Sequence, residues 1–469
     1  MQFNSPIFLF VFLPVTFAGF FLLGHFRAFF AAALWAAIAS LVFYSWDTWR
    51  LLPLILSSII FNYIVGRLLA DRQSRAILWT GIGMNLAGLA YFKYGNFIGE
   101  NLVHLGFASP IEDIVLPIGI SFFTFTQIAF LVDASRGEAK EYRFVHYVLF
   151  VTYFPHLIAG PILHHKDIMP QFAEARIYGF NIATFALGLG WFAAGIFKKV
   201  VLADSIAPFA DAAFNAAAKG EVVTSADAWL GAISYTLQLY YDFAGYSDMA
   251  IGLALMMGIA VPLNFYSPYK ATSLIEFWRR WHMTLSRFLR DYLYIPLGGS
   301  RNGTIRRYVN LALTMVLGGL WHGASWNFVL WGAIHGVGLI VNHAWRYAAK
   351  KYGVNLPVGC GFFLTIVLII LAWVPFRASS FEAAHIMWSA MLVPHFGETA
   401  FRVGWVWAAV LTLIAVLLPN TAQIFDRSAP ARWFSWRPNL AWAIVSGCAV
   451  GLSVALSITM PSSFLYFRF

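Results

Sequence analysis

Long apolar runs recur along the whole chain, and each has about 17 residues or more, enough to cross the hydrocarbon core of a bilayer as a helix. Lipid offers no hydrogen-bond partners to the backbone, so runs of this length favour helices. They lie approximately at 7–24, 29–46, 51–70, 77–92, 114–133, 144–160, 180–202, 228–260, 309–342, 359–376, 401–418 and 440–460. The runs 228–260 and 309–342 are each long enough for one segment or two. The pattern predicts an all-α polytopic membrane protein with about 11 or 12 membrane segments.

Some runs carry features that change how they are interpreted. The run 144–160 contains Pro155 and ends at Gly160-Pro161, and such residues predict a broken or re-entrant segment. The run 7–24 follows no basic residues and precedes no small-residue cleavage site, so we predict a retained span rather than a signal peptide. The sequence shows no internal repeat and no soluble linker domain. Residues 1–469 are therefore predicted to form a single membrane domain.

The composition excludes a soluble protein. Hydrophobic residues make up 60% of the chain and charged residues only 11%, too few to cover a surface of this size in water. The net charge of +10 would suit a nucleic-acid-binding protein, but the basic residues lie in short connections between apolar runs. They are predicted to set the topology and to bind anionic lipids or an acidic cofactor. Cys360 and Cys448 lie in or beside apolar runs and support neither a disulfide nor a metal site.

Basic residues in the short loops predict the orientation of the chain, because such loops stay in the cytoplasm. The loops after the third and fifth runs are predicted to be cytoplasmic on the basis of Arg67, Arg72, Arg75, Arg136, Lys140 and Arg143. By contrast, residues 96–113 include no Lys or Arg, and residues 204–227 include only Lys219. Those two segments are predicted to face outward.

The interval 270–307 is the densest basic region of the chain and is predicted to be cytoplasmic. Its apolar residues recur at helical spacing, while its basic residues take other faces. The first group is Trp278, Trp281, Leu285, Phe288, Leu289 and Tyr292, and the second is Arg279, Arg280, Arg287 and Arg290. Arg301, Arg306 and Arg307 follow. This pattern predicts an amphipathic helix that lies in the membrane surface.

His322 lies in the middle of the uncharged run 309–342, within Trp321-His322-Gly323-Ala324-Ser325-Trp326-Asn327. An ionisable side chain at membrane depth is costly and is usually functional. Burial favours a neutral imidazole, which can accept a proton from a hydroxyl nucleophile, so His322 is a candidate general base. The alternative is a packing histidine whose ring nitrogens bond to neighbours such as Ser325 or Asn327.

Other polar residues in or near the apolar runs are less informative. His282 lies at the edge of the amphipathic stripe and suits an interfacial or a catalytic role equally well. His335 follows His322 by thirteen positions and would face away from it on one continuous helix, so we predict a structural role. Gln238 and Asp242 are four apart and are predicted to stabilise helix packing. No His-Glu-x-x-His spacing or glycine-rich phosphate loop occurs, so no metal site is expected.

Four strings, taken together and in order, resemble hallmarks of one family. They are Phe154-Pro155-His156-Leu157-Ile158-Ala159-Gly160-Pro161-Ile162, then Gln238-Leu239-Tyr240-Tyr241-Asp242-Phe243-Ala244-Gly245-Tyr246-Ser247-Asp248, then 264–299 with Phe277-Trp278-Arg279-Arg280-Trp281-His282, and finally Trp321-His322-Gly323. The family is the bacterial membrane-bound O-acyltransferase (MBOAT) family, and the resemblance covers nearly the whole chain. One departure, Met283-Thr284 in place of an expected Ile-Ser, is conservative.

The resemblance implies a helical fold around a conical tunnel, which acyl-CoA enters from the cytoplasm and an acceptor from the other side. His322 matches the family's catalytic histidine, and His282 matches the second histidine of the fold. In the polysaccharide-modifying branch, the membrane subunit passes acetyl groups from acetyl-CoA to an extracytoplasmic partner that resembles SGNH esterases. We therefore expect an O-acyltransferase of a bacterial inner membrane that serves an exported polysaccharide such as alginate.

Several alternatives stay open at this stage. The same fold could acetylate cellulose or peptidoglycan, or could use a lipid or protein acceptor. A transporter would also have polar residues at membrane depth, but it would show internal repeats. None is present in the sequence.

The phosphates of CoA suggest a role for the basic region. Guanidinium groups bind phosphates well, so the arginines of this region are predicted to bind the donor. They are Arg279, Arg280, Arg287 and Arg290, followed by Arg301, Arg306 and Arg307. Binding of anionic lipid is the alternative.

The C-terminal tail 461–469 resembles the Phe-x-Tyr-Phe-x-Phe ending of polysaccharide-modifying MBOAT subunits. By that resemblance, Tyr466 is predicted to carry the acetyl group as an aryl ester, with His322 taking the proton of its hydroxyl. The alternative is an aromatic anchor at the membrane interface.

Overall fold

The computed structural model describes residues 1–47, 49–107, 114–139, 143–395, 402–425, 434–460 and 462–465. These residues form α-helices joined by turns and short π- and 3₁₀-helices, and the described ranges contain no β-strand. The first ten helices are α1 Leu13–His25, α2 Phe29–Ser45, α3 Leu52–Arg72, α4 Arg75–Leu89, α5 Gly95–His104, α6 Ile120–Ser135, α7 Phe144–Thr152, α8 His165–Phe172, α9 Ile182–Phe197 and α10 Asp204–Ala218. The others are α11 Ser225–Met256, α12 Leu274–Trp278, α13 Met283–Leu289, α14 Gly303–His322, α15 Trp326–Tyr352, α16 Val358–Arg377, α17 Phe381–Leu392, α18 Arg402–Leu417, α19 Thr421–Phe425 and α20 Leu440–Thr459.

Six helical stretches of the described chain are long and apolar enough to cross a membrane. They are Phe8–His25, Trp49–Arg72, Ile182–Ala218, Trp326–Tyr352, Val358–Arg377 and Leu440–Thr459. Three shorter helices, α2, α6 and α18, are also apolar. The chain is therefore an all-α, multi-pass membrane protein, as its apolar runs predict.

The chain folds as two compact units. The first comprises Met1–Ile196, Tyr246–Leu263 and Trp436–Arg468, and the second comprises Phe197–Gly245, Asn264–Ser435 and Phe469. The run 228–260, which is long enough for two segments, forms the single helix α11, and the boundary between the units falls within it.

Polar side chains join helices in the first unit. The Asn62 and Asn85 side chains donate to each other across α3 and α4, at 3.1 and 2.6 Å, and both are buried. The Gln127 amide on α6 donates to Ser58 Oγ at 2.8 Å. Each of these groups would be costly to bury alone, so the pairs favour one arrangement of the helices.

The predicted interruption in the run 144–160 is confirmed. Helix α7 ends at Thr152, and residues 153–164 form turns and irregular structure that are buried in the first unit. Pro155 lacks the N–H that another helical turn would need. At Gly160, an added Cβ would lie 2.4 Å from His156 Cα, so only glycine allows this tight turn.

The run 309–342 forms two helices, α14 and α15, which pack as a hairpin in the second unit. Two glycines allow the close approach. An added Cβ would lie 2.1 Å from Phe328 O at Gly319 and 2.4 Å from Met315 O at Gly332. Small residues at such crossings bring helix backbones together in membrane proteins. The hairpin places its turn, residues 323–325, directly after His322.

The prediction of a single amphipathic helix within 270–307 is wrong. The segment contains the short helices α12 and α13, and His282 between them adopts a left-handed conformation with φ 42°. Trp281 and Phe288 are buried within the protein. The helical spacing of the apolar residues holds inside each short helix, but it does not reveal the break between them. Burial of the aromatic face offsets the energetic cost of that break.

The C-terminal segment 462–465 packs within the first unit. Phe464 is 1% exposed, and its ring meets Tyr246 edge-on at 4.6 Å. This part of the tail is therefore inside the protein rather than at the headgroup level. Tyr466, and Lys140 of the predicted cytoplasmic loop, lie outside the described residues.

Candidate active site

His322 is the last residue of α14 and lies at the closed end of the hairpin. Ser325 caps α15, its hydroxyl accepting from Asn327 N at 3.2 Å. The Asn327 side chain donates to Ala378 O at 2.8 Å, just beyond α16. The two neighbours suggested as partners of a packing histidine thus make these other bonds, which hold the turn in place.

Aromatic rings enclose the His322 imidazole, which is only 4% exposed. The ring centroids of Trp321, Trp331 and Phe376 lie 4.9, 5.1 and 5.2 Å from it. The centroid of the His282 ring lies 6.4 Å from that of His322. The structure therefore brings together the two histidines singled out in the sequence, in surroundings that exclude bulk water and strengthen electrostatic interactions.

His282 is completely buried and oriented by Asn264. Its Nδ1 lies 3.0 Å from Asn264 Oδ1, which also accepts from Thr284 Oγ1 at 2.9 Å. The Thr284 backbone N–H points at the same Asn264 atom, which identifies that atom as the amide oxygen. His282 Nδ1 must therefore carry the proton, and the neutral ring presents Nε2 as an acceptor.

Burial lowers the pKa of His282 to about 3, so the imidazole is neutral at physiological pH. Asn264, which gives this ring its orientation, was not identified from the sequence. The sequence feature that could have pointed to Asn264 is its place at the start of the 264–299 string, eighteen residues before His282.

The premise behind the structural assignment of His335 is wrong, because α14 and α15 are separate helices rather than one. The hairpin folds His335 back toward the site. Its ring lies 4.8 Å from Trp331, whose other neighbours include His322. His335 is 0% exposed, and neither ring nitrogen has a hydrogen-bond partner among the described residues.

The first four of the arginines predicted to bind the donor have different surroundings. Arg280 pairs with Glu276 at 2.7 Å, and Arg290 donates to both oxygens of Asp291. Arg287 lies 3.9 Å from Asp291. Three of the four charges are thus partly neutralised by local carboxylates, whereas Arg279 is exposed. Glu276 and Asp291 lie close in sequence to these arginines, but they were not identified from the sequence as ion-pair partners.

A buried ion network lies elsewhere in the second unit. Lys199 Nζ contacts Asp242 at 2.9 Å and Asp204 at 2.6 Å. The Lys199 and Asp242 side chains are almost fully buried. Next to Asp242, the Phe243 ring meets His282 edge-on at 4.8 Å. The arrangement agrees with the packing role predicted for Asp242, but its cationic partner was not foreseen.

Comparison with known proteins agrees with the geometry. Residues 77–381 match the sequence profile of the membrane-bound O-acyltransferase family. A protein of Pseudomonas putida described as a probable alginate O-acetylase AlgI is 38% identical across 100% of both chains. The peptidoglycan O-acetyltransferase of Helicobacter pylori is 43% identical over 82% of this chain and 78% of its own.

A more distant relative extends the family's range of acyl groups. The teichoic acid D-alanyltransferase of Streptococcus thermophilus is 28% identical over 51% of this chain and 59% of its own. The profile match covers well over half of the chain, and two relatives exceed 30% identity over most of their length. The chain belongs to the membrane-bound O-acyltransferase family and is an O-acyltransferase.

Proposed function

We propose that this enzyme transfers acetyl groups from cytoplasmic acetyl-CoA, across the bacterial inner membrane, toward an exported polysaccharide. The observation that carries the proposal is the buried His322 at the closed end of the α14–α15 hairpin, within 6.4 Å of the second histidine. A neutral imidazole in a water-poor site suits acyl transfer between a thioester and a hydroxyl, because water would otherwise hydrolyse the thioester.

The chemistry balances with one general base. His322 takes the proton of the acceptor hydroxyl as that oxygen attacks the thioester carbonyl, and the resulting tetrahedral intermediate collapses with cleavage of the C–S bond. The CoA thiolate leaves and receives the proton from His322. His282, held neutral by burial and oriented by Asn264, helps to shape the wall of the site.

The acetyl group must then reach an acceptor outside the cell. We propose that Tyr466 receives it as an aryl ester, which is activated enough to pass it to the serine of an extracytoplasmic SGNH-type partner. Phe464 and Leu465, which precede Tyr466, are buried in the first unit, so the tail has an attachment point within the protein.

The polymer proposed is alginate or a close analogue. The support is the match over the full length of both chains to the protein described as a probable alginate O-acetylase. Peptidoglycan is the second candidate, because the relative named for that activity is 43% identical over 82% of this chain.

The catalytic proposal is tested with purified wild type, His322→Ala and a matched control, His385→Ala, whose side chain is exposed on α17. Each is given labelled acetyl-CoA without acceptor protein, and acetylation of the C-terminal peptide is measured by mass spectrometry. We expect the adduct in wild type and control, and a loss of about 10²- to 10⁴-fold in His322→Ala. Normal labelling in folded His322→Ala would exclude His322 as the base.

The acceptor is tested in the source cells after deletion of the gene and complementation. Base-labile acetyl is measured separately on the exopolysaccharide and on purified peptidoglycan. Loss from the exopolysaccharide alone supports the proposed polymer, and loss from peptidoglycan alone replaces it with the second candidate.

A further inference from the structure

We infer that the donor lies along helix α15, with an amide of its pantetheine arm bound at His335 and its phosphates bound by a basic cluster around His343. The inference rests on the proposed use of acetyl-CoA and adds the residues that recognise it. Two independent features of the second unit carry it.

The first feature is a group of buried polar atoms that no protein group satisfies. Both His335 ring nitrogens, Trp331 Nε1 and Trp278 Nε1 are buried without a hydrogen-bond partner among the described residues. The Trp278 and Trp331 rings lie 5.1 and 4.8 Å from His335. Leaving such groups unsatisfied costs about 1–3 kcal/mol each, so a polar ligand that bonds to them would be stabilised by completing the cluster.

The chemistry of these atoms selects the ligand. The two indoles offer N–H donors, and a neutral imidazole offers one donor and one acceptor. An amide is complementary, because its oxygen accepts from indole N–H groups while its N–H donates to the imidazole. The Trp278 side chain is only partly buried, so the cluster reaches the protein surface there.

The second feature is a cationic cluster two helical turns further along α15. Arg307 Nη2 donates to His343 Nδ1 at 2.7 Å, so the neutral His343 ring carries its proton on Nε2. Arg346 and Arg279 are close enough for their charges to act on the same imidazole. Arg307 thus contacts this imidazole, and the charges of Arg346 and Arg279 lie within electrostatic range of it, a concentration of positive charge that suits a phosphate dianion or diphosphate.

The spacing of the two features fits the donor. His335 and His343 are eight positions apart on α15, about 12 Å along the axis, and Trp331, beside His322, is about 18 Å from His343. A pantetheine arm has about 13 bonds between its sulfur and phosphorus atoms. Fully extended, these bonds span about 15 Å. Its sulfur-proximal amide lies about 10–12 Å from the phosphorus on the same scale.

Helix α12 joins the two features. Trp278 belongs to the amide cluster, and the next residue, Arg279, acts on His343. The Asn342 side chain accepts from Ile275 N at 3.1 Å and fixes the start of α12 against α15. One short helix therefore contributes to both ends of the inferred donor site.

The test measures equilibrium binding of two probes to purified protein in phosphatidylcholine nanodiscs. The probes are a non-hydrolysable thioether analogue of acetyl-CoA and the same analogue ended at pantetheine, without phosphates. The double variant Arg307→Gln/Arg346→Gln should bind the CoA probe about 10-fold or more weakly than wild type does. Its affinity for the pantetheine probe should stay within about twofold of the wild-type value. The control Arg75→Gln removes an exposed charge from the first residue of α4, in the first unit, and should change neither.

The amide cluster is tested with the same probes. His335→Leu should weaken both by about 10-fold, and His335→Gln should restore most of the affinity because it keeps a donor and an acceptor. Trp278→Phe, at a partly exposed position, should weaken both by about threefold even if His335→Leu does not fold. Unchanged affinity of both probes in Trp278→Phe, and in His335→Leu where that variant folds, would overturn the amide site.

The possible outcomes separate this inference from the proposed function. If wild type binds neither probe, acetyl-CoA is not the donor and the proposed function fails. If wild type binds the CoA probe and the double arginine variant binds it equally well, the function stands and the phosphate site is overturned. A double variant that loses only its response to added phosphatidylglycerol would assign the cluster to lipid headgroups, which also overturns the inference.

Discussion

Gly319→Ala is the most direct test of how the hairpin positions His322. The added Cβ would lie 2.1 Å from Phe328 O and 3.3 Å from Gly332 Cα, where ordinary contacts begin at 3.4 Å. The obstructing atom is a backbone oxygen in the first turn of α15, so α14 and α15 must separate by about 1 Å. Overpacking of this kind costs about 1–3 kcal/mol, against about 1 kcal/mol gained from the helix propensity of alanine.

The effect on activity should exceed the effect on stability. His322 is three residues from Gly319, in the last turn of the same helix, so separation of the helices moves the imidazole. A displacement of about 1 Å in a catalytic group can cost about 10²-fold in rate. We therefore expect about 100-fold slower acetyl transfer, with an apparent unfolding temperature only a few degrees lower, measured in the same detergent.

The matched control is Gly447→Ala on α20, where an added Cβ meets nothing within 4 Å. The same substitution there should leave activity unchanged and should not lower the unfolding temperature, because only helix propensity changes. Transfer by Gly319→Ala within threefold of wild type would refute the reasoning that this glycine sets the position of His322.

Three other predictions test separate features. Lys199→Met should destabilise the protein by about 3–5 kcal/mol because it leaves Asp242 buried without its cation, and Lys199→Met/Asp242→Asn should recover part of that loss in thermal unfolding; equal stability of the two variants would contradict the pairing. The pKa of His282 is lowered, so its neutral form stabilises the fold fully above pH 6.5, and this contribution is lost as the pH falls toward 3. His282→Gln should therefore unfold less steeply than wild type over that pH range in an acid titration followed by tryptophan fluorescence, and an unchanged profile would argue against a buried neutral imidazole. Tyr466→Phe should abolish polymer acetylation while preserving the aromatic ring, and full acetylation by this variant would return the tail to an anchoring role.

The class of the protein follows from local properties of the sequence. Hydropathy over windows of about 20 residues is a property of a segment and its solvent, so it identifies membrane helices before any packing is known. The same argument marks His322, because an ionisable residue in an apolar run is conspicuous wherever the helices pack. Pro155 and Gly160 likewise act locally, and the break they predict is present.

A local pattern fails where the helix that it requires does not continue. The position predicted for His335 requires one helix through His322, but the chain turns at residues 323–325 and returns. The amphipathic pattern of 270–307 requires one helix through His282, where the backbone is left-handed. Helical spacing predicts the side on which a residue lies only while the helix continues. Neither break contains a proline, so the sequence does not mark its position.

The sequence is enough to predict a helical membrane protein and its family, and it singles out His322 as a candidate for proton transfer. Which polar groups meet depends on the tertiary structure. His282 is oriented by an asparagine 18 positions away, and Arg307 bonds to a histidine 36 positions away. Such pairs form because burial makes an unpaired polar group costly, and the partner that satisfies it depends on how whole helices pack. Hydropathy and spacing are set within one segment, whereas hydrogen-bond partners are set between segments, and only the folded chain brings those segments together.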